Sequence, residues 1–111
     1  MANLTLNLIQ GSVSFSFSPE AAQGLQREIE PLLQSLKATA QAAQLKERPQ
    51  KQNPLEYRYT GEILLEIFCN PNLYASPFAA KVLLTLRDER IRLVTEMELT
   101  QLLADLEAYL A

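Results

Sequence analysis

The sequence predicts an α+β fold: a mostly antiparallel sheet of about five strands, in the order ββα, β, ββα, with two helices packed on one face. Three observations carry this. In GSVSFSFSPEAAQGLQ, residues 11–26, the spacing of apolar residues changes from two to three or four at Ser18. ERIRLVTEMELTQLLADL, residues 89–106, makes a similar change a second time. Between them, YRYTGEILLEIFCNP, residues 57–71, opens on an extended pattern rich in aromatic and aliphatic residues.

The first unit begins with Leu4, Leu6 and Leu8 alternating with Asn3, Thr5 and Asn7. Val13, Phe15 and Phe17 then alternate with serines, and Gln10–Gly11 supplies a tight turn, so the two stretches read as a hairpin. Ser18, Pro19 and Glu20 start a helix: a hydroxyl to cap it, a proline where no N–H is needed, and a carboxylate at the positive end of the dipole. Ala22, Leu25, Ile29, Leu32, Leu33, Leu36, Ala40 and Ala43 make one apolar stripe along it. Pro31 removes a backbone donor and crowds the preceding turn, which predicts a kink or two consecutive helices near residue 30.

Residues 44–56, QLKERPQKQNPLE, hold two prolines, several charges and little to bury, the pattern of an exposed, mobile linker inside a single domain of 111 residues. The next strand sets Tyr57, Tyr59, Ile63, Leu65, Ile67 and Cys69 on one side, with Arg58, Thr60, Glu62, Leu64, Glu66 and Phe68 on the other. Gly61 marks a bulge in it; a short helix capped by Thr60 competes for 61–69. Shifting the first unit by 78 positions lays Leu4, Leu6 and Leu8 on Val82, Leu84 and Leu86, and Leu25 on Leu103. The end of the chain therefore reads as a second hairpin and helix, with Thr95 and Glu98 as a capping box; a helix over 77–87, started by Ser76 and Pro77, is the alternative.

Composition narrows the chemistry. The chain has no histidine, which removes the Ser-His-Asp triad, the Cys-His pair and imidazole metal sites together. Its one cysteine, Cys69, ends an apolar strand with no basic neighbour in sequence, the setting of a small buried hydrophobe. Carboxylates are paired at Glu28/Glu30, Glu62/Glu66, Asp88/Glu89 and Glu96/Glu98, but none has a known ligand spacing, and isolated glycines build no phosphate loop. No cofactor is implied, and an enzyme is not expected. Apolar runs of three or four residues fall far short of the ~20 a membrane span needs, and the start of the chain has no secretory pattern, so a cytoplasmic protein without membrane insertion is expected.

Two surfaces remain. CNPNLYASPF, residues 69–78, frames Leu73, Tyr74 and Phe78 between two prolines, and large apolar groups on a stiff loop lose little entropy on docking. The same residues could instead fold back to seal the core. Leu64 and Phe68 fall on the strand face opposite the main apolar row, where they need a helix or a second chain to cover them. These five residues predict a non-enzymatic interaction or assembly-factor domain, a homodimer or a subunit of a complex. The net charge of −3 conceals one basic stretch, Lys46, Arg48, Lys51 and Arg58, beside Tyr57 and Tyr59. RNA or another polyanion is the alternative partner there, disfavoured by the smallness of the patch.

Overall fold

Ser18 divides the first strand pair from the first helix as its sequence context requires: its Oγ accepts a hydrogen bond from the Ala21 N–H at 3.1 Å, and Pro19 opens the helix. The computed structural model describes residues 2–111. Two strands, β1 (Asn3–Asn7) and β2 (Ser12–Ser16), precede helix α1 (Pro19–Gln44). Four more follow in chain order: β3 (Leu55–Thr60), β4 (Leu64–Cys69), β5 (Lys81–Arg87) and β6 (Arg92–Glu98). A single 3-10 turn, Pro71–Leu73, lies between β4 and β5, and helix α2 (Leu99–Leu110) ends the chain. The fold is α+β with antiparallel sheets and both helices on one side, and the hairpin-then-helix unit does occur twice.

Several details differ from the sequence expectation. The strands number six among the described residues and divide into a β1–β2 pair and a β3-β4-β5-β6 meander. The extra strand arises at Gly61, where 57–69 reverses instead of bulging. The Gly61 N–H donates to the Ile63 carbonyl at 3.0 Å, and a β-carbon on Gly61 would stand 2.7 Å from the Tyr59 hydroxyl oxygen. A Thr-Gly step inside an alternating stretch signals a bulge and a tight reversal equally well. Because Tyr57 pairs with Ile67 and Tyr59 with Leu65, odd-numbered residues still share one face, and the sidedness read from the sequence survives the reversal.

Pro31 does not divide the helix. Helix α1 runs unbroken through it with the proline exposed, and the carbonyl left without an N–H donor is that of Arg27, also an exposed residue, so it is not an orphan of the core. The capping box at Thr95 and Glu98 does not form: Thr95 is inside β6, and Glu98 stands at the cap position without a side-chain bond to the helix. Residues 81–87 are strand, which settles the alternative helix there. The linker is shorter than 44–56, since Gln44 ends α1 and Leu55 is buried as the first residue of β3. Lys46 turns the chain out of α1 in the left-handed region, φ 56°, and the Glu47 N–H caps the Ala42 carbonyl at 2.8 Å.

The core joins both sheets to both helices. Leu4, Leu6, Phe15 and Phe17 from the first hairpin meet Leu25, Ile29 and Leu36 of α1, Leu102 and Leu106 of α2, and Ile67, Leu84 and Met97 of the meander. One buried acid, Asp105 of α2, ties the first hairpin to the last helix. Its Oδ2 accepts from the Asn7 N–H at 2.8 Å, and its Oδ1 accepts from Asn7 Nδ2 at 2.9 Å and Gln101 Nε2 at 2.8 Å. The Tyr109 hydroxyl donates to the Phe17 carbonyl beside it.

Candidate interaction surface

Strand pairing sets the side chains of the meander in cross-strand rows, because residues directly opposite each other in an antiparallel pair point to the same face. One face carries Tyr57, Tyr59, Leu65, Ile67, Val82, Leu84 and Met97 into the core beneath the helices. The other has no helix over it. Register places Glu56, Phe68, Leu83 and Glu96 in one row across this open face. The next row is Arg58, Glu66, Thr85 and Val94, and the third is Thr60, Leu64, Arg87 and Arg92. Phe68, Leu83 and Val94 are 41%, 42% and 44% exposed, which is high for large apolar groups inside a sheet. An open hollow of about 510 Å³ lies on this face, its lining including Glu56, Arg58, Glu66, Phe68, Leu83 and Arg92.

The loop after β4 splits between the two roles the sequence left open. Asn70 caps the 3-10 turn by accepting from the Asn72 N–H at 3.1 Å, and Pro71 within it is buried. Tyr74 is half-buried against the core, and that burial, with Cys69 and Glu96 nearby, pushes its hydroxyl pKa up although a backbone bond at Lys81 opposes the shift. Leu73 and Phe78 turn outward, 72% and 85% exposed. A hollow of about 210 Å³ brings Phe68, Leu73 and Tyr74 together with Leu83, Lys81 and Glu96, so the loop extends the acidic end of the open face. Leu64 shares the face at its opposite end; Phe78 is outside this hollow.

Leu83 and Val94 were missed as surface residues. The sequence carried a signal for Leu83: with Val82, Leu84 and Leu86 taken as the inward row, the residue between them had to point the other way.

Lys46, Arg48 and Lys51 are exposed along the connection, while Arg58 lies in β3 on the open face, paired across from Glu66. Tyr57 and Tyr59 do not stand beside Arg58. They face the core, Tyr59 edge-on to Phe17 with ring centroids 4.9 Å apart, and burial is the main cause that raises the Tyr57 pKa to about 12. The tyrosine platform that base stacking would use is thus turned away from the cations. Cys69 is buried, which raises its pKa to about 11 and leaves a poor nucleophile. Among the described residues no three of His, Cys, Asp or Glu are grouped to hold a metal ion, and no helix is long and apolar enough to cross a membrane. Asp88 is held below the usual carboxylate range by the Ile91 and Arg90 N–H groups it accepts at 2.9 and 2.8 Å, a bond pattern that shapes the β5–β6 turn.

Comparison with family models, curated proteins and solved structures gives no match.

Proposed function

We propose that the protein is a small non-enzymatic interaction domain, of the assembly-factor kind, that acts in the cytoplasm by docking another protein surface on the open face of its four-stranded sheet. One observation carries this. Three large apolar side chains, Phe68, Leu83 and Val94, stand on a sheet face that no helix covers, and Leu73 continues them from the adjacent loop. Half-exposed apolar side chains interspersed with charged ones suit a protein contact. RNA or another polyanion at Lys46, Arg48, Lys51 and Arg58 has less support, because Tyr57 and Tyr59, which flank Arg58 in sequence, pack into the core on the opposite face.

The test separates docking from folding. Phe68→Ser with Leu83→Ser changes half-exposed residues on the open face, so thermal unfolding should move little, whereas capture of partner protein from host extract on immobilised protein should be lost. Charge reversal of Lys46, Arg48 and Lys51 together should leave capture unchanged. Capture that survives the face substitutions, or that depends on the three linker cations, overturns the proposal.

A further inference from the structure

Strand β6 is the last in the meander, and among the described residues no strand pairs with its outer side. Hydrogen bonds join Asp88 to Ile91 at one end of the β5–β6 pair and Leu99 to Ala80 at the other, so the alternation of an antiparallel ladder gives the bonds to β5 to the odd-numbered residues between them. The N–H and C=O groups of Arg92, Val94 and Glu96 therefore point outward along a free edge. The Glu96 carbonyl meets the Thr95 hydroxyl at 3.5 Å and keeps a second lone pair. Charged side chains ordinarily keep an exposed edge single. Here their order works the other way. The even positions from 90 to 98 read Arg90, Arg92, Val94, Glu96 and Glu98, so each charge meets its opposite when the strand is laid antiparallel against itself.

We infer that the edge of β6 pairs with β6 of a second copy, antiparallel about a two-fold axis at Val94, so that two meanders continue into one sheet. Arg92 then lies opposite Glu96 of the second copy on both sides of the axis, Val94 opposite its own counterpart, and Arg90 opposite Glu98 of the second copy where the strand ends. No like charges face each other across the seam. An axis at Thr95 would set Val94 on Glu96, one at Leu93 would set Asp88 against Glu98, and a parallel pairing would set Arg92 on Arg92. Val94 and Ile91, 44% and 63% exposed in the single chain, both fall within the seam. Two further features favour it. Arg92 stands directly across from Arg87 of β5, a like-charged pair that costs stability unless an anion lies beside it, and Glu96 of the second copy supplies one. An open hollow of about 160 Å³ adjoins Glu98, lined also by Asn7, Leu8, Ile9 and Gln101, with room for the Arg90 guanidinium of the second copy. The other edge of the meander, β3, follows Pro54 and packs against α1, and is less open. A contact one strand deep is at the small end of specific interfaces, so the pair is reversible and concentration-dependent. The inference goes beyond the docking reading above and does not depend on it, since Phe68 and Leu83 lie off the seam.

Sedimentation equilibrium of the wild type should pass from monomer to dimer as concentration rises, with salt favouring the monomer. Through the same range, amide exchange at Arg92, Val94 and Glu96 should slow, while Leu93 and Thr95, already bonded to β5, stay as they are. Arg92 and Glu96 are exposed, so reversing either charge leaves the core untouched. Arg92→Glu and Glu96→Arg each bring like charges together and should weaken pairing by about tenfold or more. An equimolar mixture of the two variants restores every Arg–Glu contact at these positions in a mixed dimer, read by native mass spectrometry with one variant labelled with heavy nitrogen. Phe68→Ser with Leu83→Ser should leave the dimer intact. A wild type that stays monomeric, a dimer whose even-numbered β6 amides exchange as they do in the monomer, a mixture that does not pair, or a dimer lost with the Phe68 and Leu83 substitutions overturns the inference. Loss of partner capture in that last variant, with the dimer absent in the wild type, would reject the edge pairing and leave the docking face in place.

Discussion

Phe15 and Ser14 are neighbours in β2 with opposite fates. Phe15 is buried and meets Phe17 edge-on at 5.7 Å, while the Ser14 hydroxyl is outside, sharing a 2.6 Å hydrogen bond with Thr5. Phe15→Ala should therefore cost about 3–5 kcal/mol in urea unfolding, and Ser14→Ala less than about 1 kcal/mol, since only an exposed bond is lost. A second consequence at this scale concerns alkali. Burial raises the Cys69 pKa from 9.0 to about 11, so above pH 9 the unfolded chain releases that proton first. The stability contribution is whole below pH 9 and declines until the folded thiol ionises near 11; Tyr57, raised to about 12, extends the decline. Unfolding free energy measured from pH 8 to 11 should fall, and in Cys69→Ala the fall between 9 and 11 should be shallower.

At the scale of elements, the connection between α1 and β3 is held at one point. Gln52 donates its N–H to Asn72 Oδ1 at 2.8 Å and accepts from Asn72 Nδ2 at 2.7 Å, a two-bond clasp to the 3-10 turn. Amide exchange should be fast across 48–51 and slowed at Gln52, and Asn72→Ala should make Gln52 as fast as its neighbours. Protection across 48–51 as well would mean that the connection is packed. Such a clasp illustrates what a linear reading does not reach. Residues 44–56 have no apolar period, so the sequence shows only an absence, whereas Gln52 and Asn72 are 20 positions apart and equally ordinary in composition. Local signals fared better where backbone chemistry decides. Ser18–Pro19 started its helix on position, and Gly11, at φ 86°, makes the first hairpin turn. Pro31 does not end the helix, because on an exposed face the carbonyl it frees stays open to solvent, and Gly61 reads either way because a bulge and a reversal look alike. Of the surface, Leu64 and Phe68 were legible from strand parity. That the meander has one bare side depends on where α1 and α2 dock, which periodicity does not encode.

For the whole molecule, Asp105 decides whether the two hairpin-helix units act as one body. Its carboxylate accepts three hydrogen bonds, two of them from Asn7, which lies 98 residues away. Asp105→Ala leaves those donors without their acceptor in a place water reaches poorly and should cost about 2–3 kcal/mol in chemical denaturation, with exchange of β1 and β2 amides accelerated more than those of β4 and β5. Equal acceleration in both sheets would mean that the bridge does not join separable parts.

The same bridge bears on how the chain is made. A ribosome releases the first hairpin well before the residues that fasten it, since Asp105 follows Asn7 by 98 positions and Tyr109 follows Phe17 by 92. Until then the apolar side of α1, from Ala22 to Leu36, lacks α2 and has the hairpin, β3 and the 3-10 turn to lie against. The four-stranded meander, built from sequential neighbours, needs no such wait. Synthesis therefore runs ahead of closure: the first hairpin waits for α2, and a nascent chain stalled before α2 leaves the sides of β1 and α1 that this helix covers open to whatever attends the exit tunnel.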